Sequence, residues 1–363
     1  MADARRLRFH WSLSAVGDAS RRGRAQTAMS GAFDLGTHAS FCREAERCGI
    51  ESLLMAFGFT RPDPFTWSAA LGASTEKINF LTAIRSGVCS PTLFVQQVNT
   101  LSVITGGRVY INIVAGRAPG EHQYYGDFLS HDERYERTDE FWRICHALWR
   151  GDGPVDFTGR HYRVEGARIN TPFLSAERDR PRIYLGGNSE QAVRLAIRHA
   201  DCLLTFPDAP ETLAERIRPV LESGTNVGLL VSMIAKPTRD DAVAAAAELI
   251  ATAGDASREV HRNVRGGTDS VGFTSMYQMA DNDSAWVTRY LWTGAVPYLG
   301  APAISLVGSA DDIVRAIFEY RDVGVTEFLF TGFPDLEQMR FFAAEVLPRV
   351  RERERQSAAS PAG

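Results

Sequence analysis

The stretch Ile183-Tyr184-Leu185-Gly186-Gly187-Asn188-Ser189-Glu190 runs from an apolar segment through two glycines and an Asn-Ser pair into a helical pattern. Glycines let a backbone approach a ligand closely. A helix N-terminus offers unpaired N–H groups and the positive end of the helix dipole to an anion. Asn188 and Ser189 can add side-chain donors beside the close approach that Gly186 and Gly187 allow. The same residues also suit an ordinary capped strand-to-helix turn. On either reading the stretch is a strand, a turn and a helix, the unit of a parallel α/β fold.

Working outward, the same unit recurs. Period-two or continuous apolar runs predict strands over residues 7–13, 51–56, 78–84, 108–114, 182–185, 202–205, 227–235 and 325–331. Helical patterns separate them, several stopped by glycine, and Ser309 is the expected N-cap of a helix over residues 310–322. Eight alternations predict an α/β fold, a (β/α)8 TIM barrel with insertions, the largest after strand seven. A doubly wound sheet would alternate too, but no GxGxxG follows a strand and no Walker A motif occurs. The expected domain spans residues 1–354. It carries a long loop at 16–31, a hairpin at 156–164 and an irregular, lid-like insertion at 254–301. Residues 355–363 are small and polar and are expected to be disordered.

Hydrophobic residues make up 44% of the 363, enough for a sizeable core, and the net charge of −4 is spread without a basic stripe. Nucleic acid and membrane surfaces are therefore not expected partners. Five cysteines with no CxxC pair, together with no secretory h-region, predict a reducing, cytoplasmic setting. The histidines fall into no metal-ligand spacing, and no GxSxG elbow is present, so no metal site or hydrolytic triad is expected.

Two more polar residues stand out. Asn112 interrupts an apolar strand and needs a partner, which is either a ligand or a core amide. Tyr135 opens a charged helix, where it either reaches a phosphate or sits in a run of paired charges.

Taken in order, several stretches resemble the bacterial luciferase-like flavin-dependent monooxygenases, specifically the alkanesulfonate monooxygenase-like branch. They include Phe80-Leu81-Thr82-Ala83-Ile84-Arg85, Gly107-Arg108-Val109-Tyr110-Ile111-Asn112 and Asp132-Glu133-Arg134-Tyr135. Tyr184-Leu185-Gly186-Gly187-Asn188-Ser189, Thr268-Asp269-Ser270-Val271-Gly272, Leu291-Trp292 and Phe328-Leu329-Phe330-Thr331-Gly332-Phe333-Pro334 continue the series. The resemblance implies a two-component enzyme. A separate NAD(P)H:flavin reductase would supply reduced FMN, and this chain would oxygenate a small molecule with O2 through a C4a-peroxyflavin. It further implies that Ser189, Asn188 and Gly187 hold the FMN phosphate with Tyr135, that Asn112 and Ala83 border the ring, and that the protein is a homodimer or homotetramer.

The substrate positions depart from that branch. Where sulfonate-oxidising members carry Arg and His on strand seven, this chain has Leu230 and Ser232, and an insertion Arg is Leu299. A Tyr and a His after strand eight are Phe333 and Asp335, and a His beyond strand one is Val16. A desolvated sulfonate needs cationic partners, so the expected substrate is neutral or partly apolar and not an alkanesulfonate. The expected pocket is bounded by Trp11, Leu230, Tyr298 and Phe333. Ser232, Asp335 and Trp292 are the catalytic candidates, Ser232 and Asp335 having bland alternatives as a strand hydroxyl and a helix cap. Alternatives of other kinds are a deazaflavin (F420)-dependent oxidoreductase of the same fold and a non-catalytic flavin-binding protein.

Overall fold

The strands are short apolar runs, as befits a parallel sheet covered on both faces. A computed structural model describes residues 6–13, 34–59, 61–114, 119–333 and 335–359. Its strands are β1 (Arg8–Ser12), β2 (Ser52–Met55), β3 (Asn79–Ile84), β4 (Val109–Val114), β5 (Val155–Thr158), β6 (Arg163–Ala167), β7 (Arg182–Gly186), β8 (Cys202–Thr205), β9 (Asn226–Ala235), β10 (Leu291–Trp292), β11 (Ser305–Gly308) and β12 (Glu327–Gly332). Eight of them close a parallel ring in the order β1-β2-β3-β4-β7-β8-β9-β12, with β12 pairing back to β1. The predicted barrel is therefore present, and β5 and β6 form the predicted hairpin.

Side-chain alternation divides the core in two. Phe9 and Trp11 of β1 point outward, where they meet Phe328, Phe330 and Phe342 beneath the helices. His10, between them, points inward. Leu81, Tyr110, Tyr184, Leu204 and Leu329 fill the barrel interior. A buried charge cluster sits at the strand starts. Glu327 accepts from His10 Nε2 at 3.1 Å and from Arg182, and Arg182 Nε donates to the Tyr184 hydroxyl at 3.0 Å. Burial alone would raise the Glu327 carboxyl. The His10 hydrogen bond and the Arg182 charge outweigh it and hold the group at about 2.

β9, ten residues long, pairs with two strands in turn along one edge. Its first residues pair with β8, and its last four, Ser232 to Ala235, pair with β11. β11 thus continues the wall at the C-terminal end, and β10 pairs antiparallel with it. β11 was not among the predicted strands, because four residues after a Pro-containing turn carry almost no periodicity.

Helix ends follow local chemistry. Ser130 caps the helix His131–Arg150 in a capping box with Glu133, and Gly151 closes it at φ 68°. Ser309 caps Ala310–Asp322 as expected. Two expectations are corrected. Residues 254–301 are not irregular throughout. The helix Arg239–Gly266 runs into them with a kink at Gly254 (φ 69°, ψ 177°), and a second helix spans Val271–Ala280. In Arg239–Gly266 few side chains beyond the kink are buried, so no apolar stripe marks it in the sequence. The closing helix Leu347–Ala359 continues through residues expected to be disordered. The predicted loop at 16–31, with Val16, lies outside the described residues. Among the described residues no helix is long and apolar enough to cross a membrane, and no cluster of metal-ligating side chains occurs.

Candidate active site

The turn after β7 delivers Ser189 to the N-cap of the helix Glu190–His199. Its Oγ accepts from Ala192 N–H at 3.1 Å, and the residue is 8% exposed. The helix His131–Arg150 brings Tyr135 alongside, with its hydroxyl 3.3 Å from Ser189 Oγ. Burial raises the Tyr135 phenol above its usual range, so it stays a protonated donor. Gly187 donates its N–H to Leu204 O at 3.0 Å, and a Cβ added there would lie 2.6 Å from that of Ala192. Only glycine lets the turn fold this tightly over the helix start.

Asn188 bridges two strand ends. Its Oδ1 accepts from Thr205 Oγ1 at 3.0 Å and from Phe206 N–H at 3.3 Å, while its buried Nδ2 has no hydrogen-bond partner. On β4, Asn112 is 7% exposed, pairs in register with Ala83 and Tyr184, and has a buried, unpartnered Oδ1. Ala83 is buried on β3 beside it. Buried amide groups without partners are uncommon in folded proteins. Asn112 lies on β4 and Asn188 just beyond β7, and the C-terminal ends of those strands adjoin the Ser189–Tyr135 pair. A ligand with a phosphate, and a ring carrying both hydrogen-bond donors and acceptors, fits them. Tyr135, Ser189 and the helix N-terminus suit the phosphate, and Asn112 and Asn188 suit polar edges. The cofactor candidates named from the sequence therefore fall at one end of the barrel.

The insertion reaches the same end. Arg134, one residue before Tyr135, meets Asp269 at 2.5 Å. A Cβ on Gly272 would stand 3.1 Å from Asn188 Oδ1, and Phe273 meets Phe206 edge-on at 5.5 Å. The helix Val271–Ala280 thus begins against the turn after β7.

The substrate-side candidates separate. Leu230 faces the barrel interior, half-buried beside the inner core. Trp292 and Phe333 pack with Ile234 and Leu299 at the strand ends, forming an apolar wall. Tyr298 sits in the insertion, its carbonyl accepting from Ser257 at 2.5 Å and its ring facing Arg258. Trp11 is a correction. Its indole lies in the outer layer against Phe330 and Phe342, fully buried, and so does not border the interior. Asp335 is also fully buried, its Oδ1 accepting from Gly332 N–H at 2.8 Å and from Trp11 Nε1 at 3.3 Å. Through Oδ1 it braces the turn after β12. The Ser232 hydroxyl is spent on Pro302 O at 2.7 Å and on Thr331, with the residue fully buried beneath the turn Ala301–Ala303. Trp292 contributes an apolar surface.

Sequence reasoning passed over the buried pair of Arg85 and Glu121, which meet at 2.9 Å beyond the end of β3. The signal available was an arginine directly after an apolar strand. Nothing in the pattern told a buried cation from a surface one.

A closed ring of eight parallel strands, with Asn112, Asn188, Tyr135 and Ser189 toward the C-terminal strand ends, defines an α/β-barrel protein. The chain belongs to the luciferase-like monooxygenase family, whose model matches residues 7–327. Solved structures agree on the fold. A riboflavin lyase (RcaE), crystallised with modified FMN and riboflavin, superposes with a TM-score of 0.76 at 21% identity, over 96% of this chain and 92% of that one. A long-chain alkane monooxygenase (LadA) gives 0.77 at 17%, over 96% and 92%. An F420-dependent secondary alcohol dehydrogenase gives 0.64 at 20%, over 95% and 99%.

Proposed function

We propose that this protein is a flavin-dependent monooxygenase that takes reduced FMN from a separate NAD(P)H:flavin reductase. With O2 it would oxygenate a small, neutral or partly apolar substrate. The observation that carries this reading is the Tyr135–Ser189 pair at a helix N-terminus, with the unpartnered amide groups of Asn112 and Asn188 on the adjoining strand ends. FMN supplies the oxygen chemistry when bound. This chain's residues hold the phosphate through Ser189 and Tyr135, orient the ring through Asn112 against Ala83, and keep water out.

Water exclusion falls to residues 254–301. Their contacts with Arg134 and Asn188 tie the insertion to the turn, so its closure and the phosphate grip act together. The apolar wall of Ile234, Trp292, Phe333 and Leu299, with Leu230 in the barrel interior, supports a substrate without a sulfonate, and the fold neighbour named as a long-chain alkane monooxygenase is consistent with it. A homodimer or homotetramer in the cytoplasm completes the proposal.

The test is oxygen uptake with reduced FMN and a panel of neutral substrates. Sulfite release from a short alkanesulfonate at a comparable rate contradicts the substrate class. The F420-dependent neighbour favours a second reading, hydride transfer with a deazaflavin. Substrate-dependent oxidation of reduced F420 under anaerobic conditions would establish it in place of oxygenation.

A further inference from the structure

Arg85 follows the last residue of β3 and is 5% exposed. Its Nη2 meets Glu121 Oε2 at 2.9 Å, and Glu121 Oε1 is itself held by Phe59 N–H at 3.2 Å. The guanidinium lies 4.9 Å from the centre of the Phe57 ring and 5.9 Å from that of Tyr125. It is thus clamped by a carboxylate and aromatic faces. Nε and Nη1 are nevertheless buried with no hydrogen-bond partner. Neighbouring arginines engage both terminal nitrogens. Arg137 grips both oxygens of Asp127, and Arg134 bonds Leu129 O and Asp269. Arg85 is positioned firmly and left under-used.

Its location matters. Ala83, two residues earlier, pairs with Asn112, whose own Oδ1 lacks a partner. Two sets of unmatched polar groups therefore lie at the same end of the same pair of strands. Charge narrows what would match Arg85. Glu121 already balances it, and the nearby Arg134 and Arg137 are balanced by Asp269 and Asp127. A formal anion placed here would be uncompensated, whereas a neutral oxygen acceptor satisfies the N–H groups at no charge cost.

We propose that Arg85 is a binding residue for a carbonyl oxygen of a ligand held at the barrel mouth. The inference rests on the flavin-site reading above. The carbonyl belongs either to the pyrimidine part of the flavin ring or to the organic substrate. The test compares wild type with Arg85→Gln and Arg85→Lys. FMN affinity is read by fluorescence titration, and cyclohexanone affinity by perturbation of the flavin spectrum of FMN-loaded protein. Circular dichroism checks folding, and Arg85→Lys, which keeps the charge beside Glu121, serves if the glutamine variant does not fold.

If the flavin supplies the carbonyl, FMN binding weakens by about tenfold or more. If the substrate does, FMN binding is unchanged and cyclohexanone binding weakens by about that factor. A folded variant with wild-type affinity for FMN, and cyclohexanone binding equal to wild type or absent from both proteins, overturns the proposal while leaving the flavin site standing. Failure of the wild type to bind FMN contradicts both.

Discussion

The hydroxyl of Tyr135 stands 3.3 Å from Oγ of Ser189, although 54 residues separate the two in sequence. Two helices on different sides of β7 contribute one residue each, and the pair flanks a helix N-terminus. Hydroxyls so placed recognise a phosphate without adding net charge. Tyr135→Phe and Ser189→Ala are each predicted to weaken FMN binding by about tenfold while leaving riboflavin, which lacks the phosphate, unchanged. Isothermal titration with both flavins checks this. Ser189→Ala also removes an N-cap, so its unfolding midpoint is measured alongside.

Gly187 is a packing requirement. The β-carbon of an alanine there would meet that of Ala192 at 2.6 Å, and neither can rotate away. Gly187→Ala is predicted to destabilise the protein by about 1–3 kcal/mol. Ala192→Gly introduced with it should restore part of that loss. Urea denaturation of both variants is the measurement.

The cluster at the strand starts sets an acid limit. Glu327 holds its proton only near pH 2, against an ordinary value of 4.5, because its buried charge is met by His10 and Arg182. A carboxyl depressed on folding contributes stability that is complete above its unfolded value. That contribution is lost as pH falls from about 4.5 through about 2. Glu327→Gln should cost about 3–5 kcal/mol at neutral pH by leaving Arg182 unpaired. It should also flatten the stability profile across that acid window, as denaturation curves at successive pH values would record.

Ser232 and Asp335 make a contrasting case. Each attracted a catalytic reading, yet each is fully buried and committed to backbone groups. Asp335→Asn and Ser232→Ala are predicted to lower stability by about 1–2 kcal/mol. Both should leave FMN affinity, and turnover per folded molecule, within about threefold of wild type. A loss of turnover of a hundredfold or more in a fully folded variant would restore the catalytic assignment.

The barrel was legible because each of its eight strands carries a period-two or continuous apolar run and helical patterns separate them. The turn after β7 was legible because Gly187 allows a close approach to the helix start and Ser189 supplies its cap. The inner and outer faces of β1 were harder. His10 and Trp11 are both buried, so burial alone did not reveal that Trp11 turns away from the interior. The helix Val271–Ala280 was hidden by the Gly- and Asp-rich sequence around it. Asp335 and Ser232 kept two readings in the sequence because a polar residue near a strand end looks alike whether it faces a substrate or braces a turn. The geometry that separates these outcomes is long-range: Trp11 Nε1 for Asp335, and Pro302 O for Ser232.

The most direct measurement is an anaerobic titration of the protein with reduced FMN and, separately, with reduced riboflavin, in wild type and Ser189→Ala. The prediction is that wild type binds reduced FMN at least about tenfold more tightly than reduced riboflavin, and that the substitution removes most of the difference. Equal affinity for the two flavins in wild type would contradict a phosphate seat at Tyr135 and Ser189.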